Sequence, residues 1–327
     1  MTVAPLDLDE IRSARVRLGG RITTTPVHRV SHPVLQEVVS AAELWLKLEL
    51  LQVTGSFKAR GALLNVDALS ETQRSRGVTA ISAGNHAIAV AYAARESGIS
   101  ARIVMTASAN PLRVAACRAY GADLVFAADI HEGFELVRQI EQSEGRVLLH
   151  PFEGRTTALA TATIGLELCE QVPSPEAVVV PIGGGGLGAG VASAVKLLAP
   201  RCDVIGVEPY GADTMFRSFA AGRPVGIDRV NTIADSLGAP YSMPVSFELC
   251  RRNLDRIVRV TDEEMRRAMR LLAEGAKLAV EPAAAASLAA IAGPLREDLA
   301  GRRVALILCG SNIDVATYCD LVSGATS

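Results

Sequence analysis

The 327-residue chain has few aromatic residues, 4% with a single Trp. No apolar run approaches the roughly 20 residues of a membrane span, and the longest basic runs are pairs such as Arg251-Arg252 and Arg266-Arg267. Lys plus Arg number 33 against 35 for Asp plus Glu, so the formal charge is −2, and the charges are interspersed. That argues against a nucleic-acid or membrane-surface partner, either of which needs a concentrated basic face. The six cysteines, at 117, 169, 202, 250, 309 and 319, form no CxxC pair and have no companion His at zinc spacing. Neither a disulfide framework nor a structural zinc site is indicated. The N-terminus MTVAPLDLDE is acidic where a secretory signal is basic, so a cytoplasmic protein is expected.

What the chain has in quantity is small and apolar: 28 Gly, long Ala-rich stretches, and 49% hydrophobic residues overall. That is ample material for a core, and the length suits one large domain or two intimate ones. Small residues let helices and sheets approach closely, and Gly lets backbone approach a ligand.

Short apolar, β-branched runs at 44–48, 78–82, 102–105, 124–127, 177–182, 204–208, 257–260 and 304–308 read as strands covered on both faces. Helical spacing lies between them, as in 261–278, where Thr261 and Glu264 make a capping-box start. Alternation of this kind predicts an α/β protein built on parallel sheet, with its ligand beyond the carboxyl ends of strands. The polar, Gly- and Pro-containing stretch 145–157 is the one place that looks like a passage between lobes.

The strongest single signal is the strand 177–182 followed by Gly183-Gly-Gly-Gly-Leu-Gly188 and a helix. Unobstructed backbone N–H groups at a helix N-terminus hold an anionic phosphate. Gly183, Gly185 and Gly188 also satisfy GxGxxG, with Glu208 twenty residues on from Gly188, so a nicotinamide dinucleotide is an alternative owner of that phosphate. Upstream, Thr54-Gly-Ser56 forms a turn that puts Lys58 in the first turn of a helix. The dipole and partial burial there favour a neutral, nucleophilic amine; taken alone, a Lys in that position is more often a solvated surface residue. Two further strand-to-turn segments are Ile81-Ser-Ala-Gly-Asn-His-Ala87 and Cys309-Gly-Ser-Asn-Ile-Asp314.

These four segments, in this order and spacing, resemble the serine/threonine dehydratase and serine racemase family of pyridoxal-phosphate enzymes of the second fold type. Gly206-Val-Glu-Pro209, Thr232-Ile-Ala-Asp235 and Val280-Glu-Pro-Ala283 add to the likeness, which runs from about Thr25 to Asp314. The resemblance implies a two-lobed fold, with a large cofactor-binding lobe of residues 1–76 and 154–327 and a small mobile lobe of residues 77–153. It implies Lys58 as the catalytic lysine joined to the cofactor, and Gly183, Gly184, Gly185, Gly186 and Leu187 as holders of its phosphate. Asn85 would bond the ring hydroxyl oxygen, and Cys309 would face the pyridine nitrogen; the bland reading of Cys309 is a buried core thiol. Ser82, Ala83, Gly84, Asn85 and His86 would form the turn that receives the substrate carboxylate. The implied reaction is β-elimination by a cytoplasmic homodimer, turning an L-serine- or L-threonine-like 3-hydroxy amino acid into a 2-oxo acid and ammonia. Hydroxyaspartate, a hydroxyectoine-derived substrate, or racemisation are the alternatives on the same cofactor. With only thirteen residues after Asp314, no appended regulatory domain is expected.

Three positions depart from the family pattern. Residue 83 is Ala where racemases carry a Ser, so elimination with little racemisation is expected. A divalent cation would be held by Glu208, the carbonyl of Ala212 and an acid at 214; residue 214 is Thr, with Asp213 displaced by one, so the site is incomplete. Leu159-Ala-Thr-Ala-Thr163 replaces a glycine-rich family segment and is expected to reshape the substrate side-chain pocket. Arg155 nearby is a candidate for a second polar group on the substrate, or a solvated residue.

Overall fold

The computed structural model describes residues 3–40 and 43–324. Among the described residues, ten strands fall into two sheets. The larger contains β1 (Val27–Arg29), β2 (Glu43–Lys47), β7 (Ala177–Pro181), β8 (Asp203–Pro209), β9 (Arg256–Val260) and β10 (Arg303–Ile307), in the order β1-β2-β10-β7-β8-β9. All its pairings are parallel except β1 on β2, with Leu306 opposite both Leu46 and Val179. The smaller sheet has the order β5-β4-β3-β6 and is wholly parallel, from β3 (Val78–Ile81), β4 (Ala101–Thr106), β5 (Asp123–Ala127) and β6 (Val147–Leu148).

All eight expected strands are present. The two extra ones, β1 and β6, are three and two residues long and lie at sheet edges, too short for periodicity to register. The stretch 145–157 contains β6 and then leads into the helix Arg155–Gln171. The helix after β9 starts at Thr261 with the expected capping box, but its regular part ends at Leu271 and a π-turn spans Leu272–Ala276. Gly275 lies in that turn, where a Cβ would stand 2.6 Å from Leu35.

The small-residue composition is used at the helix contacts. The helix Arg155–Gln171 packs on the helix Gly186–Leu198 through Gly165 and Gly190; a Cβ on Gly190 would lie 2.1 Å from Thr161 Oγ1. The Ala-rich helix Pro282–Ala292 is buried against β7 to β10. All six cysteines are free thiols. No helix among the described residues is long and apolar enough to cross a membrane.

Candidate active site

The ends of β3, β7 and β10 and the start of the helix Lys58–Asp67 converge on one cavity. Lys58 is the first residue of its helix. Its Nζ donates to the Pro151 carbonyl at 2.6 Å. Burial pushes its ammonium down to about 8, against the opposing pull of Cys309 and Glu281. Desolvation, more than the helix dipole, is therefore what brings the amine toward the neutral form that attacks a carbonyl.

β7 runs into the glycines, and Ala189 N–H makes the first bond of the next helix, to the Gly185 carbonyl at 2.8 Å. The N–H groups before it lie outside the helical ladder at its positive end. Different neighbours impose the glycines. A Cβ on Gly184 would stand 2.2 Å from Phe152 Cγ, one on Gly186 2.5 Å from the Phe152 carbonyl oxygen, and one on Gly183 3.1 Å from Leu237 Cα. Gly185 has φ +93°, a backbone that favours glycine.

Beyond β3, the Ser82 hydroxyl accepts from Gly84 N–H at 3.1 Å, and Asn85 opens the next helix. Asn85 Nδ2 donates to both oxygens of Glu281, at 2.8 and 3.0 Å. His86 Nε2 donates to the Leu149 carbonyl at 2.8 Å. Burial, helped by the nearby Lys58 charge, holds its imidazole down to about 3, so the ring is neutral. His150 is pushed down to about 4 by burial, and its Nδ1 accepts from Phe152 N–H and Glu153 N–H. Cys309, just past β10, is 3% exposed. Burial and the neighbouring Glu281 carboxyl hold its thiol well above the usual range, so it stays protonated.

Lys58, Asn85, Gly183 to Leu187 and Cys309 thus line one cavity. Ala83 borders an adjacent cavity of about 300 Å³, which it shares with Arg113 and Asp235. Glu208 and Ala212 lie outside both. The Glu208 carboxyl caps the helix Thr214–Ala221, accepting from Met215 N–H at 2.9 Å and Phe216 N–H at 2.7 Å, and burial pushes it up to about 8. Asp213 pairs with Arg217 at 2.6 Å and Arg259 at 2.9 Å. Among the described residues no group of three or more His, Cys, Asp or Glu is arranged to hold a metal ion.

Arg155 is committed elsewhere than the substrate. Both its Nη atoms reach the Glu10 carboxylate, at 2.7 and 2.6 Å, and one also meets the Pro5 carbonyl, so it ties the N-terminal segment down. Of residues 159–163, Thr161 alone borders the cavity beside Lys58, and its hydroxyl donates to the Gly186 carbonyl at 2.7 Å. That segment buttresses the glycine loop from behind. Sequence reasoning gave no part to Glu281, Ser236, Phe152 or Arg113, all of which border these cavities. Glu281 lies within one of the quoted signatures and Ser236 follows another, so the signal was present without a geometry to interpret it.

Residues 19–310 match the family described as pyridoxal-phosphate dependent enzyme. The chain belongs to that family. It is 54% identical to the phenylserine dehydratase of Ralstonia pickettii over 312 residues, covering 95% of each chain. It is 39% identical to the L-threonine ammonia-lyase of Thermotoga maritima, covering 95% of this chain and 76% of that one. The structure of maize serine racemase superposes with a TM-score of 0.91 at 35% identity, covering 97% of each chain. The residues present fit the cofactor of this pyridoxal-phosphate enzyme. An amine of lowered pKa suits an aldehyde, the helix N-terminus after the glycines suits a phosphate, and a protonated thiol suits an aromatic nitrogen. Neither a ribose nor a second phosphate is needed to account for the site, and a dinucleotide makes no use of Lys58.

The helix that carries Lys58 is itself anchored by a buried quartet. Arg60 Nε and Nη2 bond Glu49 at 2.9 and 2.8 Å, and its Nη1 and Nη2 bond Glu167 at 2.6 and 2.9 Å. Lys47 Nζ donates to Glu167 at 2.7 Å and to the Thr25 carbonyl at 2.7 Å. Two cations against two anions leave no net charge in the core, which is the condition for burying them.

Proposed function

We propose that the chain is a pyridoxal-phosphate-dependent ammonia-lyase that converts an L-3-hydroxy amino acid into a 2-oxo acid and ammonia. The observation that carries it is the half-buried Lys58, its amine lowered toward neutrality and lining one cavity with the glycine loop and Asn85. Lys58 would join the cofactor, Gly183 to Leu187 would hold its phosphate, Asn85 would bond its ring hydroxyl oxygen, and Cys309 would stand toward its ring nitrogen. When bound there, the cofactor supplies an aldehyde to capture the substrate amine and a conjugated ring to spread negative charge from Cα. Lys58 Nζ takes the proton from Cα, the hydroxyl leaves Cβ, and water finally replaces the amine, so that water is lost and regained and ammonia is the net departure. The turn of residues 82–86 receives the substrate carboxylate. A protonated Cys309 gives the ring nitrogen no negative partner, which favours rapid elimination over long-lived carbanions.

Apart from the Glu281 carboxyl, the side chains lining the cavities around Lys58 are uncharged. Phe57, Leu149, Pro151 and Phe152 stand there with the two uncharged histidines, and Lys58 is the sole Lys or Arg lining those two cavities. A neutral, alkyl or aryl, substituent at Cβ suits this lining, whereas a second carboxylate finds no partner. Two relatives, phenylserine dehydratase and L-threonine ammonia-lyase, carry names that agree with that choice, whereas a more distant one, 36% identical, is named L-threo-3-hydroxyaspartate ammonia-lyase. Residues 77–153 move as a small lobe against 1–76 and 154–327, and the enzyme is a cytoplasmic homodimer.

The test is keto-acid release by the purified holoprotein from L-phenylserine, L-threonine, L-serine and L-3-hydroxyaspartate, with Lys58→Ala alongside. Release from the neutral substrates and loss of release in the variant are expected. Undiminished keto-acid formation by Lys58→Ala would sink the assignment.

A further inference from the structure

The direction of the hydrogen bonds around Asn85 is fixed from outside the cavity. The Thr54 carbonyl can only accept, so the end of the Asn312 amide that meets it at 2.8 Å is Nδ2. The same nitrogen offers a hydrogen to Asn85 at 2.6 Å, and what it meets there is Oδ1. Asn85 is thereby turned with its own Nδ2 toward Glu281 and, at 3.3 Å, toward the Ser236 hydroxyl. The backbone of Asn312 is held as well. Arg113 Nε donates to its carbonyl oxygen at 2.9 Å, and the Arg113 guanidinium, 8% exposed, is paired with Asp235. Gly55 makes room for the side chain, since a Cβ there would stand 2.6 Å from Asn312 Oδ1.

We infer that Asn312 is a positioning residue for the reaction: it holds Asn85 Oδ1 and so sets which end of the Asn85 amide faces the cofactor cavity, with Arg113 fixing Asn312 from the far side. This rests on the reading that Asn85 bonds the ring hydroxyl oxygen. The physical reason is acceptor crowding. Were the Asn85 amide reversed, its oxygen would face the Glu281 carboxyl and the ring oxygen together, and the donor that both require would point away. Arg113 belongs to the helix Pro111–Ala119, beside the smaller sheet, whereas Asn312, Asp235 and Glu281 lie among segments of the larger one. The relay therefore ties the two sheets together at the atom that chooses the orientation.

The holoproteins Asn312→Asp, Asn85→Ala and the double variant decide it. Asp at 312 has no donor for Thr54 and draws the Asn85 amino end toward itself. The absorbance band of the bound cofactor should shift, cofactor affinity and kcat should fall about tenfold, the scale on which groups that orient a site's ligands act, and KM for L-threonine should change little. In the Asn85→Ala background the same substitution should do nothing further, because the atom through which it acts is gone. Full additivity of the two substitutions, or an unmoved band in Asn312→Asp, overturns the inference. Should Asn312→Asp not accumulate folded, Arg113→Met gives the same shift in weaker form, and an unmoved band there overturns it equally. If Asn85→Ala itself leaves the band unchanged, the role of Asn85 falls and the relay with it, while keto-acid formation would still stand for the ammonia-lyase reading.

Discussion

Lys58 Nζ donates to the carbonyl oxygen of Pro151 at 2.6 Å, a neutral acceptor that leaves burial free to dominate the amine's pKa. Its folded value of about 8 lies below the ordinary 10.5. Uptake of cofactor by the cofactor-free protein, which needs the unprotonated amine, should therefore quicken as pH rises and level off above about 8. Folding carries the matching sign. Between about 8 and 10.5 the unfolded chain binds the proton that the folded one has released, so stability rises with pH across that window; the penalty is absent above it and complete below it. Denaturation of cofactor-free Lys58→Met across the same pH range should lack that slope, and an unaltered slope would refute the account.

Phe152 and Gly184 are matched by shape, since the ring lies where a side chain on the glycine would go. Gly184→Ala should push either the ring or the loop aside and weaken cofactor binding by a factor of about ten or more, an overpacking cost of about 1–3 kcal/mol. Phe152→Ala opens that space. The double variant should bind cofactor better than Gly184→Ala alone, a sign of coupling between neighbours, and equilibrium dialysis reads the result.

The strands and the four turns were legible because each is a local pattern. β7 is a continuous buried run, and four glycines admit few uses. The edge strands β1 and β6 were not legible, since two or three residues carry no period. Nor were the second uses of the signature residues. Glu281 acquires its part only when the helix Pro282–Ala292 sets it against Asn85, 196 positions away in the chain. Arg155 misled for the opposite reason: a cation near the cleft in sequence finds its partner, Glu10, 145 residues back.

Arg60 is the hub of the buried quartet, and its loss leaves Glu49 and Glu167 with Lys47 as their one remaining buried cation. Arg60→Met should destabilise the protein by about 3–5 kcal/mol, the cost of stranding buried charge. Chemical denaturation measures it. Replacing all four side chains with apolar residues of similar volume should cost far less, which separates stranded charge from lost packing.

Glu208 and Asp213 already have partners, the first in two backbone N–H groups and the second in two arginines. The Arg259 guanidinium lies 4.0 Å from the centroid of Phe216 and 4.6 Å from that of Tyr210, which pins a positive charge beside Asp213. Exhaustive treatment with a chelator should leave keto-acid formation unchanged. Because burial raises Glu208 to about 8, the folded state holds its proton from 4.5 upward, and that stability is full below 4.5 and lost as pH rises through 8. Glu208→Gln should flatten this part of the stability profile, and a chelator-sensitive enzyme would reverse the assignment.

On the proposed reading of the 82–86 turn, Ala83 stands where a second acid would return a proton to Cα from the face opposite Lys58. Its methyl group offers no donor at that position. Racemisation needs a second acid on that face, so the protein should turn L-serine into pyruvate with no matching appearance of D-serine. Ala83→Ser adds a hydroxyl at the turn, on the wall of the adjoining cavity, where there is room for it. That variant should gain D-serine formation while retaining elimination, and chiral chromatography of a time course gives both rates at once. If the unaltered protein forms D-serine as fast as pyruvate, the second acid lies elsewhere and Ala83 is not what limits the outcome.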